Sequence, residues 1–214
     1  MQKEISRRSF LTATGSLGLA AIIPSIFATP QRAASHWFDI SVAQWSFQRQ
    51  FYSGEMRTLD FPEFAVKQLG ISGIDYLSDF MLDIYRQPSQ LKQLKRRSDD
   101  LGVSNVMIMC HKEGRIGDVD PQQRRAVIER HFRWVEAAQQ LDCSSIRVNV
   151  RSGGSRQKQL DLVVDSLTTL ANFARPYGVN IIVENLWGSD YSYKADFIAE
   201  VMEAVSLPNC GTLP

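Results

Sequence analysis

Residues 39–56 read DISVAQWSFQRQFYSGEM, in which 39–47 predict a strand and the remainder is mostly polar. A dinucleotide-binding open sheet is expected to carry a G-x-G-x-x-G motif at the turn after its first strand, where the backbone approaches the pyrophosphate. The segment after Phe47 contains no such motif. Among folds that alternate strands and helices, this stretch therefore favours a (β/α)₈ barrel over an open doubly wound sheet.

The rest of the chain repeats one unit, a short apolar strand followed by a polar loop and a helix of 3.6-residue period. Further strands are predicted at 73–79, 104–110, 144–150, 180–186 and 209–214. Their nearly continuous apolar character is typical of a parallel sheet covered by helices, which places the chain in the α/β class.

The residues at helix ends predict where several helices begin and stop. Asp60 with Glu63 predicts a capping box. Asp120 before Pro121 predicts the start of a long helix that runs to about residue 141. An apolar stripe over residues 160–174 ends at Gly178, and the last helix is predicted over roughly 194–205.

A complete barrel needs eight strands and typically about 250 residues. Residues 35–214 supply six predicted strands, so we expect a partial barrel of about six of the eight βα units. Such an unclosed sheet exposes the hydrogen-bonding groups of its first and sixth strands, which favours association into homo-oligomers.

The first 34 residues differ from the rest. Arg7 and Arg8 are followed by Ser9, Phe10 and Leu11, and then by an apolar segment over 17–28 that is too short to span a bilayer. This order is typical of a twin-arginine export signal, so residues 1–34 are predicted to be a signal and linker and the mature protein is predicted to be periplasmic. The alternative is an N-terminal helix that contains an arginine pair by chance.

Charge and hydropathy argue against two classes of partner. Removal of residues 1–34 takes away four basic residues and one acidic residue, so the net charge falls from +1 to about −2. A chain of this charge is not expected to bind nucleic acid or anionic lipid. No apolar run after the signal is long enough to cross a membrane.

The three cysteines predict neither a disulfide nor a thiolate metal site. Cys110 ends one predicted strand and Cys143 begins the next, so a parallel sheet would hold them about 16 Å apart. Their spacing also lacks the CxxC pattern of zinc sites.

Two predicted strands carry polar residues at positions that alternate with apolar ones. In SSIRVNV, residues 144–150, alternation sends Arg147 and Asn149 to the barrel interior, and in NIIVENL, residues 180–186, it sends Ile182 and Glu184 there. In a barrel of this kind, residues at the carboxyl ends of strands line the active site. Glu184 could bind a hard cation or accept a proton there, or form a buried salt bridge with Arg147 on the neighbouring strand.

Four other residues are weaker candidates. His111 and Glu113 directly follow the third predicted strand, where either a ligand contact or a solvated turn fits the polar loop. Trp45 could form an apolar wall for a ligand or belong to the core. His131 lies on an apolar helix stripe and is predicted to be packed. No G-x-S-x-G, H-E-x-x-H or P-loop motif occurs.

Six segments, taken in order, resemble one family: ISVAQWSF, LDFPEFAVKQLGI, MIMCHKEGRIGD, RHFRWVEAAQQLDCSSIRVNV, NIIVENLWG and LPNCGTLP. They are similar to the xylose isomerase-like TIM-barrel proteins known as sugar phosphate isomerases/epimerases. The likeness covers nearly all of residues 39–214. It implies a barrel that binds one divalent metal ion (Mn, Mg, Co or Zn) through a Glu, an Asp, a His and a second Glu, and that interconverts sugar-like substrates through an enediol or enediolate.

The resemblance also implies roles for individual residues. Glu184 corresponds to the first metal ligand and to one of the acid/base groups. Independently of the resemblance, we predict that Trp45, His111, Glu113, Arg147, Asn149 and Trp187 are substrate-binding residues. The family's Asp is expected immediately after GTLP, so the 214 residues are expected to be an inactive fragment of a C-terminally truncated protein that lacks most of the metal site.

The chain departs from the family pattern at three places. Leu186 stands where relatives commonly have His, His111 where many have Asp, and Gln48 where a His is frequent. The expected function is thus a metal-dependent sugar or sugar-phosphate isomerase or epimerase. The alternatives are a keto-inositol-type dehydratase of the same family and a non-catalytic sugar-binding or partner-binding remnant. An endonuclease of the related barrel type is disfavoured by the near-neutral charge.

Overall fold

The computed structural model describes residues 38–185 and 191–213. They form a six-stranded parallel sheet in the order β1-β2-β3-β4-β5-β6. The strands are β1 (Ser41–Ala43), β2 (Gly73–Leu77), β3 (Ser104–Met109), β4 (Ser145–Asn149), β5 (Asn180–Glu184) and β6 (Cys210–Leu213). This is an open sheet that contains six of the eight βα units of a barrel, as the sequence predicts.

Helices connect the strands and cover one face of the sheet. They are α1 (Gln48–Ser53), α2 (Phe61–Phe64, continued by a π-helical turn over Ala65–Leu69), α3 (Ser78–Tyr85), α4 (Pro88–Asp100), α5 (Pro121–Leu141), α6 (Arg156–Ala174) and α7 (Ala195–Val205). Short 3₁₀ turns lie at Gln44–Phe47, Thr58–Asp60, Arg175–Tyr177 and Tyr191–Tyr193. No helix in the described part of the chain is long and apolar enough to span a membrane.

The predicted ends of two helices are confirmed. Asp120 caps α5 by accepting hydrogen bonds from the backbone N–H groups of Gln122 and Gln123, at 2.8 and 3.4 Å. The 3₁₀ turn after α6 ends at Gly178, whose φ of 69° is a left-handed conformation that glycine adopts without steric cost.

The predicted capping box at Asp60 is wrong. The Asp60 side chain makes no capping hydrogen bond and instead pairs with Arg57 at 2.8 Å and with Arg97 of α4 at 2.9 Å. Two guanidinium groups hold this carboxylate more strongly than one backbone N–H would, because hydrogen bonds between charged groups are the stronger kind.

The first strand is shorter than predicted, because it ends at Ala43 rather than at Phe47. The Gln44 side chain takes over at this point. Its Oε1 accepts a hydrogen bond from the backbone N–H of Leu77 at 2.8 Å, and its Nε2 donates to Thr58 Oγ1 at 3.2 Å. A side chain thus satisfies the backbone of β2, and the chain is free to turn into a helix.

The alternation predicted for β4 and β5 is confirmed. Ile181 and Val183 belong to the large core between sheet and helices, whereas Ile182 packs on the opposite face with Leu77, Met107 and Met109. Residues 147, 149, 182 and 184 therefore lie on the face that becomes the interior of a barrel. All three cysteines are free thiols, as expected.

Candidate functional site

The register of the sheet aligns four residues at its carboxyl edge. Leu77 pairs with Met109, Met109 with Arg147, and Arg147 with Ile182. Two residues after each of these four strand residues comes a polar residue, in the order Asp79, His111, Asn149 and Glu184. Asn149 and Glu184 are register partners in the sheet. We call these four residues the edge row. Because alternate strand residues share a face, Asn149 and Glu184 continue the interior face of Arg147 and Ile182, whereas Asp79 lies in the first turn of α3 and His111 in the loop after β3.

Arg147 and Glu184 form an ion pair at this edge, with Arg147 Nη1 donating to Glu184 Oε2. The side chain of Arg147 is 8% exposed and that of Glu184 is 28% exposed. The salt bridge considered from the sequence is therefore present, and it involves only one of the two Glu184 carboxylate oxygens. An ion pair in this position can orient a carboxylate as well as stabilise it.

Two buried polar atoms beside this pair lack a hydrogen-bond partner among the described residues. They are Arg147 Nε and Asn149 Oδ1. Buried polar atoms are almost always paired in folded proteins, so an unpaired donor and an unpaired acceptor are positions where a water molecule or a polar ligand can bind. Arg147, Asn149 and Glu184 thus offer a donor, an acceptor and a carboxylate within one part of the edge.

The described residues do not complete a metal site. Within 38–185 and 191–213, no group of three or more His, Cys, Asp or Glu side chains is placed to hold a metal ion. Glu184 and the unpaired Asn149 Oδ1 are oxygen donors of the kind that hard divalent ions prefer. Such ions take about six ligands, and one of these two donors is already paired with an arginine, so we derive no step through a metal.

A second cluster surrounds His111 at the same edge. The Trp45 and His111 rings are 5.1 Å apart between centroids, and His111 Nδ1 lies 3.4 Å from Asp79 Oδ2. Lys112 Nζ approaches the same Asp79 oxygen at 2.7 Å, and the Tyr52 hydroxyl donates to it at 3.1 Å. The structure thus brings together Trp45 and His111, which the sequence identified separately.

Asp79 is the functional candidate that the sequence analysis did not identify. Its side chain is 7% exposed, and burial pushes the pKa of its carboxyl upward. Hydrogen bonds from Lys112 and His111 outweigh burial and hold the pKa of Asp79 below its usual value. Its position in the sequence could have identified it, because Asp79 is an acidic residue just after β2, as Glu184 is an acidic residue at the end of β5.

Glu113 lies against helix α5 rather than in the edge row. Its carboxylate accepts hydrogen bonds from Trp134 Nε1 and from Arg133 Nη2, both at 2.7 Å, and its backbone carbonyl accepts one from Arg130 at 2.9 Å. These contacts give Glu113 a structural role in attaching the loop to α5. They correct the view of this loop as a solvated turn, since Glu113 is buried.

The two remaining sequence candidates have different outcomes. His131 is buried on helix α5 with its Nδ1 2.8 Å from the Val127 carbonyl, which confirms it as a packed helix residue. Burial lowers the pKa of His131, and the hydrogen bond to Val127 offsets this only in part. Trp187 lies outside the described residues, as do the export signal and Leu186.

Comparisons with known proteins converge on one fold. The family model of the xylose isomerase-like TIM barrel matches residues 64–214. A search of curated proteins found no match. Three similar solved structures are the IolI protein with a bound zinc atom, D-psicose 3-epimerase with D-tagatose from Clostridium cellulolyticum H10, and the probable 3-DHS dehydratase AsbF from Bacillus anthracis.

These structures share the fold at low sequence identity. The TM-score is 0.67 for IolI and 0.63 for both the epimerase and the dehydratase, and each is 16% identical to the chain. Each alignment covers 82% of this chain and 62% of the other. The chain therefore spans about three fifths of the length of the structures it matches.

Proposed function

The chain belongs to the xylose isomerase-like TIM-barrel family, and on that premise we propose that its edge row binds a sugar-like hydroxy-carbonyl compound for isomerisation or epimerisation. The observation that carries the proposal is the unpaired Arg147 Nε and Asn149 Oδ1 beside the Glu184 carboxylate. A sugar carries hydroxyl groups that can donate to Asn149 Oδ1 and oxygens that can accept from Arg147 Nε.

Each of the three residues has a separate task. Glu184 removes the proton from the carbon next to the substrate carbonyl, which generates an enediol or enediolate. Arg147 holds the Glu184 carboxylate through its Nη1 and offers the unpaired Nε–H to a substrate oxygen. Asn149 Oδ1 accepts a hydrogen bond from a substrate hydroxyl, and the exposed Trp45 indole provides an apolar face for the sugar carbons.

We further propose a divalent ion, Mn, Mg, Co or Zn, with Glu184 as one of its ligands. IolI was crystallised with zinc and a relative from Mycobacterium smegmatis with magnesium. When bound, such an ion polarises a carbonyl oxygen as a Lewis acid. Since the described residues alone fall short of a ligand set, we expect weak metal binding and no turnover at enzymatic rates by the 214 residues.

The first experiment measures binding and hydrogen exchange rather than turnover. The full chain is incubated in D₂O with D-tagatose, with and without MnCl₂, and loss of carbon-bound hydrogen signals is followed by NMR. We expect slow exchange that Glu184→Gln abolishes, with Arg156→Gln on α6 as a control, since Arg156 pairs with Glu200 away from the edge row. Exchange by Glu184→Gln at the wild-type rate would contradict the role of Glu184.

A dehydratase is the second candidate, because AsbF, a probable dehydratase, matches as well as the epimerase does. The same carboxylate would remove the same type of proton, with water leaving from the neighbouring carbon. A keto-inositol in the NMR experiment separates the two, since dehydration yields an alkene signal that epimerisation does not. A non-catalytic remnant would bind sugar without exchange in either case.

The proposed function also includes where the protein acts and what it binds. We propose export by the twin-arginine route, small-molecule sugars as ligands, and no nucleic-acid partner because the mature charge is about −2. Fusion of residues 1–34 to a reporter that is active only after export tests the first part. Replacement of Arg7 and Arg8 by Lys should stop that export.

A further inference from the structure

We propose that His111 is a second acid–base group of the edge row, which exchanges a proton with the substrate carbonyl oxygen while Glu184 acts on the neighbouring carbon. Asp79 is its positioning residue. The inference rests on the proposed function and adds an oxygen-side proton donor to it.

His111 is held in one orientation by three contacts. Its Nδ1 faces Asp79 Oδ2 at 3.4 Å, its backbone N–H donates to Ser78 Oγ at 3.1 Å, and its ring lies against Trp45. Among the described residues, no hydrogen bond is made to Nε2. The side chain is 33% exposed, so Nε2 is the ring nitrogen available to a ligand.

Asp79 is itself fixed, which makes it a suitable partner for an imidazole. Lys112 and the Tyr52 hydroxyl both donate to its Oδ2, and Lys112 also donates to Tyr52 at 3.2 Å. The carboxylate is therefore charged, nearly buried and tied to two elements. A carboxylate in this position selects the orientation and tautomer of a histidine and stabilises its protonated form.

The sheet register places His111 at a useful distance from Glu184. His111 lies two residues past the end of β3, and Glu184 is the last residue of β5, with β4 between the two strands. If the register of β3 and β4 continues for two residues, the backbones of His111 and Glu184 are about 10 Å apart. A hydroxy-carbonyl unit with one hydrogen bond of about 2.8 Å at each end spans roughly 8 Å. Side chains that reach inward from both positions can therefore contact one substrate.

The proton balance closes without a further reactant. Glu184 takes the proton from the carbon, and the C–H electron pair becomes the C=C bond of the enediol. The imidazolium of His111 gives its Nε2 proton to the carbonyl oxygen, whose π electrons become the new O–H bond. In the second half-reaction Glu184 gives its proton to the other carbon of the enediol, and the now neutral His111 takes the proton of the hydroxyl that becomes the new carbonyl, which yields the isomer and restores both residues.

The experiment uses dihydroxyacetone as the probe, with the full chain in D₂O. Wild type, Glu184→Gln and His111→Gln are compared by NMR for loss of the carbon-bound hydrogen signal, with far-UV circular dichroism to verify folding. We expect His111→Gln to slow exchange about 100-fold, which is typical for loss of a general acid. His131→Gln, which changes a buried histidine of α5, should remain within about twofold of wild type.

The role of Asp79 is tested by a pH profile, which a purely structural role would not move. The charged and titratable groups near the pair are Lys112, Tyr52 and, in the adjoining cleft, Glu113, Arg130 and Arg133. Asp79→Asn removes the negative charge 3.4 Å from His111 Nδ1, so the alkaline limb of the exchange profile should move to lower pH. An unmoved limb would remove Asp79 from the proposal.

The outcomes distinguish failure of the proposed function from failure of the role of His111 alone. If wild type exchanges no faster than buffer, the proposed function fails, and the inference fails with it. If wild type exchanges but His111→Gln keeps the same rate, only the role of His111 is overturned. Loss of exchange in both His111→Gln and Glu184→Gln, with folding intact, supports it.

Discussion

At the scale of single residues, the carboxylates near the carboxyl edge of the sheet differ in how many of their oxygens are bound within the described structure. Glu113 uses both carboxylate oxygens on helix α5, whereas the ion pair with Arg147 uses only Oε2 of Glu184. Asp79 is intermediate, because one oxygen binds three neighbours. Glu113 thus has no carboxylate oxygen left for a ligand, in agreement with its structural role, whereas the proposed role of Glu184 needs an oxygen that Arg147 does not occupy.

Replacement of Glu113 tests its structural role. Glu113→Ala leaves the buried Trp134 N–H and the Arg133 guanidinium without their acceptor, so the free energy of unfolding should fall by about 3 kcal/mol. Glu113→Gln, which keeps one acceptor, should cost less. Urea denaturation measures both, with Glu129→Ala on the exposed side of α5 as the control, expected within about 0.5 kcal/mol of wild type. Equal costs for the Glu113 and Glu129 variants would contradict the assignment.

A second residue-scale prediction concerns Asp75, inside the sheet. Burial raises the pKa of Asp75, and the Ser41 hydroxyl, which donates to it at 2.8 Å, only partly opposes this. A carboxyl whose folded pKa is raised stabilises the protein least when ionised, so its contribution is lost as pH rises through the folded pKa. Asp75→Asn should therefore raise the melting temperature at pH 7.

The pH dependence provides the control for this prediction. The gain from Asp75→Asn should shrink as pH falls toward the raised pKa of Asp75, because the wild-type carboxyl then begins to bind a proton. Ser41→Ala removes the compensating donor and should lower the melting temperature more at pH 7 than at pH 5. A pH-independent gain would show that packing rather than charge is responsible.

At the scale of elements, the sequence predicted what depends on local period and missed what depends on distant partners. The alternation of Ile181, Ile182 and Val183 was predictable because the pleat of a strand fixes which side each residue faces. The early end of β1 depends on Gln44 reaching Leu77, 33 residues away. Asp60 likewise pairs with Arg97, which is distant in sequence, instead of capping the helix as predicted.

The candidate site follows the same rule. Glu184, Asn149 and Arg147 were identified because strand alternation and strand-end position need only local sequence. The cluster of Asp79 with His111 and Lys112 requires the register between β2 and β3, which includes a shift between Ile74 and Asp75. No periodic pattern encodes such a shift, so the pairing became visible only in the folded sheet.

Helix α5 provides a prediction at this scale, through His131 on its buried face. Burial lowers the pKa of His131, so the folded state resists a proton that the unfolded chain accepts below about pH 6.5. Stability from this group is complete above that pH and declines as pH falls toward the lowered folded pKa. His131→Gln should reduce the loss of unfolding free energy between pH 7.5 and 5.5, measured by urea titration. His111→Gln, at a half-exposed site, is the comparison, and equal slopes for the two variants would refute the assignment.

At the scale of the whole molecule, the described sheet has two open edges. β1 pairs only with β2, and β6 pairs only with β5, within the residues that the structure describes. The segment beside β1 is apolar at its surface, since Ile40 is 56% exposed. A groove beside β6 is lined by apolar side chains, namely Val183, Ile198, Met202 and Leu213. Unpaired strand edges next to apolar surface are templates for pairing with another chain.

The last prediction follows from these edges. We expect the purified chain to form reversible oligomers, and a lysine at each edge should oppose edge-to-edge pairing because burial of an ammonium group is costly. The double variant Ile40→Lys with Thr212→Lys should weaken association at least tenfold in sedimentation equilibrium, which corresponds to about 1.4 kcal/mol. Thr169→Lys, on the exposed side of α6, adds the same charge away from both edges and should leave association unchanged.

If the Thr169 variant dissociates equally, general charge repulsion and not the edges governs assembly. If wild type sediments as a monomer at all concentrations, the open edges do not pair in solution.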